Sequence, residues 1–134
     1  MKSSMSKAVV LFSGQGAQSV GMGKDLVEQY PTAKKLFEQA DQALGFSLSS
    51  IMFEGPEQEL TKTSHCQPAL YLHGLTCLAL LKEKIPAFNA VAAAGLSLGE
   101  FTAHAAAGTF SFETGLSIVM QRGQFMEQAC NSTE

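Results

Sequence analysis

The sequence has no cluster of positive charge, no acidic tail and no long apolar run. Its nine Lys and Arg residues are scattered over 134 positions, and the formal net charge is −3. Nucleic-acid binding normally requires clustered basic residues, so this class of function is not indicated. The first apolar run, residues 8–12, is too short for a membrane span or a signal-peptide core. We therefore expect a cytoplasmic protein.

Cysteine is also scarce. An odd number of cysteines (Cys66, Cys77 and Cys130) without an export signal argues against a disulfide framework. His65 with Cys66, and His73 with Cys77, lack the tight ligand pairs typical of structural zinc sites. We expect no metal site.

The remaining composition fits one modest core, because 46% of the residues are hydrophobic. The apolar run 8–12 predicts a strand buried on both faces. Apolar periodicity and turn residues predict further elements in this order: helices at 24–30, 31–44, 47–53 and 67–84, a strand at 90–94, and helices at 100–107 and after Ser111. This is an α/β order, and it predicts a parallel sheet.

Three residues mark helix boundaries. Pro31 suits the first position of a helix, and Gly45 suits the position just after its end. Ser111 is expected to cap the last helix. Helix 67–84 is apolar nearly all round, which predicts that it is mostly buried.

The segment 95–99, Gly-Leu-Ser-Leu-Gly, matches the G-x-S-x-G nucleophile elbow. A serine on a tight strand-to-helix turn exposes its oxygen above the sheet, and flanking glycines leave room for the turn. The following helix would direct its first amides, beginning with that of Leu98, at an oxyanion. The alternative reading is a turn of small residues that only packs a helix on a strand.

A glycine-rich loop, Gly14-Gln15-Gly16, follows the first predicted strand. It is not a dinucleotide fingerprint, because Ser19 stands at the third glycine position, and it has no P-loop Gly-Lys-Ser/Thr. A loop at the carboxyl end of a strand can bring the main-chain N–H of Gln15 to the serine as a second oxyanion donor. A tight turn without a function remains the other interpretation.

Four segments together resemble the malonyl-CoA:acyl-carrier-protein transacylases and the acyltransferase domains of polyketide synthases. They are residues 11–18 with Gly21-Met22-Gly23, residues 61–70 with the pattern T-x-x-x-Q-P-A-L, the elbow 95–103, and residues 121–126, Gln-Arg-Gly-Gln-Phe-Met. The resemblance covers about residues 8 to 130 in family order.

The resemblance implies a role for five residues. Ser97 would accept the acyl group from coenzyme A and pass it to the phosphopantetheine thiol of acyl carrier protein. The N–H groups of Gln15 and Leu98 would form the oxyanion hole. Arg122 would bind the free malonyl carboxylate through two parallel hydrogen bonds, and Gln67 would support the pocket. Malonyl-CoA and acyl carrier protein would be the partners, and no cofactor is implied beyond the coenzyme A thioester. Fatty-acid and polyketide synthesis both stay open as pathways.

The resemblance also implies a partial α/β-hydrolase-like core. Residues 1–7 would be a polar leader, 8–130 the N-terminal part of the large subdomain, and 131–134 a junction toward a ferredoxin-like small subdomain outside this chain. Ser13 stands where the family usually has proline, which we expect to be harmless. Leu96 stands where most members have histidine, and its side chain cannot form a hydrogen bond.

The family's general-base histidine lies beyond residue 134, and the three histidines of this chain are poor substitutes. His104 is expected to point away from the serine, while His65 is expected in a loop and His73 within a buried helix. A serine without a base is a weak nucleophile, so we expect the chain alone to be nearly inactive. A serine hydrolase or thioesterase, and a non-catalytic remnant that binds carrier protein, are the alternatives. An incomplete core would also favour self-association.

Overall fold

The computed structural model describes residues 7–133. Residues 1–6 of the expected leader and Glu134 of the expected junction lie outside the described residues. The described chain forms an α/β fold with these elements in order: β1 (Ala8–Phe12), α1 (Lys24–Gln29), α2 (Pro31–Leu44), α3 (Leu48–Glu54), α4 (Glu57–Thr61), α5 (Thr63–Lys84), β2 (Ala90–Gly95), α6 (Leu98–Ala106) and α7 (Phe112–Asn131). Across residues 7–133, no helix combines the length and the apolar character needed to cross a membrane.

The two strands form a parallel sheet, which confirms the predicted strand direction. Phe12 pairs with Gly95, so the ends of both strands meet at one edge of the sheet. The prediction that β1 is buried on both faces is wrong, because the side chains of Val9 and Leu11 are 57% and 77% exposed. Val10 and Phe12 alternate with them and are half-buried. A Cβ at Gly74 of α5 would lie 3.1 Å from the Phe12 ring, so this side of β1 faces α5.

The predicted helix boundaries are confirmed at three positions. Pro31 is the first residue of α2, and Gly45 ends it with a φ of 77°, a left-handed value that glycine adopts without strain. Ser111 caps α7, because its hydroxyl oxygen accepts a hydrogen bond from the main-chain N–H of Thr114 at 3.1 Å.

Two features near residue 60 differ from the sequence prediction. The short helix α4 was not expected, and α5 begins at Thr63 rather than at residue 67, so that Pro68 lies inside the helix. His65 therefore lies in the first turns of α5 rather than in a loop. Tertiary contacts stabilise this early start, because the Glu127 carboxylate accepts hydrogen bonds from the N–H and hydroxyl of Ser64.

The core surrounds α5, whose predicted burial is confirmed. Its central residues lie against α7, α6 and α2, and Ala69, Tyr71 and Leu72 are fully buried. Tyr71 donates a hydrogen bond to the carbonyl of Phe112 at 2.9 Å, which satisfies its buried hydroxyl. This packing holds α6 and α7 in place beside the carboxyl ends of the strands.

Candidate active site

Ser97 lies at the corner between β2 and α6. Its main chain has φ 54° and ψ −113°, and it is the only non-glycine residue within 7–133 with a positive φ. Such a conformation costs about 1–3 kcal/mol and persists only where the surrounding structure holds it. The side chain is exposed, as expected for a nucleophile elbow.

The glycines on each side of Ser97 are required by space. A Cβ at Gly95 would lie 2.1 Å from the carbonyl carbon of Gly99, and a Cβ at Gly99 would lie 2.3 Å from the carbonyl oxygen of Phe12. Both neighbours are main-chain atoms, which cannot move aside cheaply. The close contact between the start of α6 and the end of β1 therefore depends on these two glycines.

The glycine-rich loop lies beside the elbow. A Cβ at Gly14 would lie 2.6 Å from the carbonyl oxygen of Leu96 and 4.0 Å from the Cβ of Ser97. The Gln15 side-chain amide donates to the hydroxyl of Thr63 at 3.3 Å. Among the described residues, the main-chain N–H of Gln15 has no acceptor. The loop thus approaches the serine closely, with a main-chain donor still free.

Leu98 is the first residue of α6 and is fully buried. The N–H groups of the first helical turn have no acceptor within their own helix. The main-chain N–H of Leu98 is therefore available at the positive end of α6, directly after the serine.

Arg122 on α7 reaches the serine. Its Nη2 donates to the Ser97 hydroxyl oxygen at 3.2 Å, and its Nη1 donates to Oε1 of Gln67 at 2.9 Å. Gln67 is fully buried, and its Nε2 lies 3.1 Å from the sulfur of Met126. The structure therefore brings the predicted Ser97, Arg122 and Gln67 into one hydrogen-bonded chain.

The helices that carry these side chains approach closely at Gly123. A Cβ at this position would lie 2.6 Å from the carbonyl oxygen of Thr63. Only a residue without a side chain lets α7 come this near to the start of α5. This contact places Arg122 within reach of Gln67.

Sequence reasoning assigned no role to two residues of this site. Met126 contacts Gln67, and the ring of Phe101 lies against Arg122 with 5.1 Å between the guanidinium carbon and the ring centroid. The i, i+4 spacing of Arg122 and Met126 on α7 could have indicated the first, since such residues share a helix face. Nothing local in the sequence indicates the second.

None of the three histidines hydrogen-bonds with Ser97. His104 contacts the hydroxyl of Thr109 at 3.2 Å, and His65 contacts the carbonyl of Glu59 at 2.8 Å. His73 lies 3.8 Å from the sulfur of Cys77 on the same helix. The side chain of Leu96 is 80% exposed and adds no polar group beside the serine.

The buried Cys66 thiol and the metal-ligating side chains of the described residues were the other candidates for a site. Burial, with a smaller contribution from Glu127, raises the pKa of the Cys66 thiol to about 11, so it stays protonated at neutral pH. Within residues 7–133, no three His, Cys, Asp or Glu side chains are close enough to share a metal ion.

Comparison with known proteins agrees with this geometry. The acyl transferase domain model matches residues 9–133. The chain is 47% identical over 132 residues to a malonyl CoA-acyl carrier protein transacylase of Bacillus subtilis, a match that covers 97% of this chain and 40% of the relative. It is 41% identical over 124 residues to the human mitochondrial protein, which it covers to 32%. The chain thus spans about two fifths or less of the curated relatives that it matches.

Solved structures give the same result. The malonyl-CoA:ACP transacylase of Synechocystis superposes with a TM-score of 0.86 at 41% identity, over 92% of this chain and 41% of that one. A malonyl-transacylase in complex with a type II PKS acyl-carrier protein superposes with a TM-score of 0.87 at 35% identity, over 92% of this chain and 40% of that one. The fold, the serine elbow and the extent of the family match lead to one conclusion: the chain belongs to the acyl transferase domain family.

Proposed function

We propose that this chain carries the acyl-accepting serine and the carboxylate-binding arginine of a malonyl-CoA:acyl-carrier-protein transacylase. The observation that carries the proposal is the hydrogen bond from Arg122 to the Ser97 hydroxyl oxygen. It puts a permanent positive charge next to the position where an acyl group would be attached. A general serine hydrolase or thioesterase has no need for such a charge beside its nucleophile.

In the proposed reaction, the Ser97 hydroxyl oxygen attacks the thioester carbonyl of malonyl-CoA. The carbon–sulfur bond breaks, the serine proton passes to the departing coenzyme A thiolate, which leaves as the thiol, and a malonyl ester remains on Ser97. The phosphopantetheine thiol of acyl carrier protein then attacks the ester, takes the malonyl group and returns a proton to the serine oxygen. Two free main-chain donors, from Gln15 and Leu98, would stabilise the oxyanion formed in each step.

Arg122 would select the acyl group by its free carboxylate. A guanidinium binds a planar carboxylate through parallel charged hydrogen bonds, which an acetyl group cannot accept. Gln67 would hold the guanidinium from its fully buried position. Its role is positional, because its polar atoms already contact Arg122 and Met126.

The residue range, partners and compartment belong to the same proposal. Residues 8–130 correspond to the N-terminal part of the large acyltransferase subdomain, and acyl carrier protein is the acceptor in the cytoplasm. A tendency to self-associate through exposed apolar surface remains a prediction. A concentration-independent monomer in size-exclusion chromatography would contradict that tendency.

The test is acylation of the purified chain by malonyl-CoA, with the modified peptide identified by mass spectrometry. We expect a malonyl ester on Ser97 and none in Ser97→Ala. The rate should be far below the typical turnover of about 10 per second, because no histidine within residues 7–133 reaches the serine to act as a base. Labelling that persists in Ser97→Ala, or no ester after prolonged incubation, would contradict the proposal.

Arg122→Ala tests the selection of the acyl group. Charged hydrogen bonds contribute about 1.5–3 kcal/mol, so malonyl transfer should fall about ten- to a hundredfold while acetyl transfer changes little. Arg122→Lys, which keeps the charge without the planar fork, should lie between. An equal loss for both acyl groups would show that Arg122 does not bind the carboxylate.

A further inference from the structure

The guanidinium of Arg122 lies over the aromatic ring of Phe101. The guanidinium carbon lies 5.1 Å from the ring centroid, within the range of a cation–π interaction. Phe101 is on the first turn of α6, three residues after Leu98, so the helix that follows the nucleophile also carries this ring. The ring is half-buried and packs against the main hydrophobic core, which restricts its motion.

The other contacts of Arg122 lie at the edge of its guanidinium. Nη1 donates to Gln67 and Nη2 donates to Ser97, and both hydrogen bonds run in the plane of the group. The two hydrogen bonds limit how far the group can slide, while an aromatic ring next to the guanidinium carbon limits how far it can turn about them. Arginine has a long side chain with many rotamers, so a fixed tilt has to be supplied by the surroundings.

We propose that Phe101 is a positioning residue that sets the plane of the Arg122 guanidinium, and so sets the preference for malonyl over acetyl groups. This inference rests on the proposed function of Arg122. Phe101 acts through the arginine and does not touch the substrate. A guanidinium in the plane of the malonyl carboxylate can offer it two parallel N–H groups. A guanidinium rotated out of that plane can offer only one hydrogen bond.

The experiment measures equilibrium binding of malonyl-CoA and of acetyl-CoA by calorimetry. Every protein carries Ser97→Ala, so that no ester forms, and the ratio of the two dissociation constants is the readout. Phe101→Leu keeps an apolar side chain but removes the ring. We expect the malonyl preference to fall about two- to fivefold, with acetyl-CoA binding unchanged.

Two variants separate the ring's electrostatics from its bulk. Phe101→Tyr retains an aromatic face and should keep the preference of the parent. Pentafluorophenylalanine at position 101 keeps the ring's shape but removes its negative face, and should lower the preference as Phe101→Leu does. This variant also decides the question if Phe101→Leu does not fold.

Phe110→Leu is the matched control. Phe110 is equally half-buried and packs against the same core, but it contacts His104 rather than Arg122. It should lose thermal stability to a similar degree and keep the malonyl preference. If the parent prefers malonyl-CoA and the Phe101 variants keep that preference, or weaken both ligands equally, the inference is wrong. If the parent shows no preference, the proposed role of Arg122 fails first, and the role of Phe101 fails with it.

Discussion

At the scale of single residues, the site depends on where side chains are missing. The unusual main chain of Ser97 fits because Gly95 and Gly99 leave room for the turn, and Gly14 leaves room for the neighbouring loop. Arg122 reaches Gln67 because Gly123 lets two helices approach. The contacts between the reactive side chains therefore depend on close main-chain approaches that only glycine allows.

Gly115→Ala should test such a close approach away from the site. A Cβ there would lie 2.1 Å from the Tyr71 hydroxyl oxygen and 2.5 Å from the Phe110 ring, so we expect a loss of about 1–3 kcal/mol in unfolding free energy, measured with urea. Gly45→Ala is the comparison: it meets no atom within 4 Å but has a φ of 77°. It should cost about 1 kcal/mol through strain alone. A neutral effect of Gly115→Ala would show that α5 and α7 are not packed as described.

His73 should make stability depend on pH. Burial lowers the pKa of its imidazole below the ordinary 6.5, and the Asp25 carboxylate opposes this only in part. The unfolded chain therefore binds a proton at a higher pH than the folded chain does. The contribution of His73 to the unfolding free energy should be constant above about pH 7. It should fall as the pH drops below about 6.5 toward the lower pKa that His73 has in the folded chain.

Thermal unfolding of the parent and of His73→Gln across this pH range provides the measurement. The variant should lose part of the decline in melting temperature on the acid side. Identical slopes in the two proteins would mean that His73 is not protected from protonation in the folded state.

At the scale of elements, α5 shows how packing extends a helix beyond its local signals. Proline inside a helix removes one hydrogen bond and costs about 3 kcal/mol, so Pro68 argues for a start near residue 67. The helix nevertheless begins at Thr63, because Cys66, Gln67 and Pro68 are buried together and Glu127 binds the main chain at Ser64. Burial and a charged hydrogen bond outweigh the local cost.

Glu127→Ala should therefore weaken the joint between α5 and α7. Its carboxylate accepts from the Ser64 N–H at 2.8 Å and from the Ser64 hydroxyl at 2.9 Å, at the positive end of α5. We expect a loss of about 1–3 kcal/mol in unfolding free energy, and a smaller loss for Glu127→Gln, which keeps an acceptor without the charge. Gln128→Ala, at an exposed position of the same helix, should be nearly neutral. Equal losses for Glu127→Ala and Gln128→Ala would show that the hydrogen bonds between Glu127 and Ser64 do not stabilise the contact between α5 and α7.

At the scale of the whole molecule, the sheet is covered on one face. Val10 and Phe12 are half-buried, and the Phe12 ring lies beside Gly74 of α5, while Val9, Leu11 and Val91 are exposed. The match to about 40% of the length of solved relatives fits a sheet of two strands with one open face. This asymmetry explains why an apolar strand that is expected to be fully buried is half-buried on one side and exposed on the other.

Two leucine substitutions should differ widely in their cost to stability, because one leucine lies on the exposed side of the sheet and the other in the core. Leu11→Thr keeps a strand-forming residue at a 77% exposed position, so unfolding free energy should change by no more than about 0.5 kcal/mol. Leu72→Ala empties a fully buried position in α5 and should cost about 2–5 kcal/mol. Chemical denaturation compares the two, and a large loss at Leu11 would mean that its face is covered in solution.

The sequence by itself determined the features whose causes are local. Pro31, Gly45 and Ser111 mark helix ends through their own local preferences. The pattern Gly-x-Ser-x-Gly predicts a strand-to-helix turn, because a side chain at either glycine would collide with the main chain there. The parallel α/β order and the family resemblance could be read in the same way.

Only the tertiary structure decided which side chains meet. Arg122 contacts a serine 25 positions away and a glutamine 55 positions away, and Phe101 lies under the same guanidinium. The exposed face of β1 and the early start of α5 were likewise set by what packs against them. The physical reason is range: backbone preferences act over a few residues, whereas the convergence of these side chains depends on how closely whole helices approach.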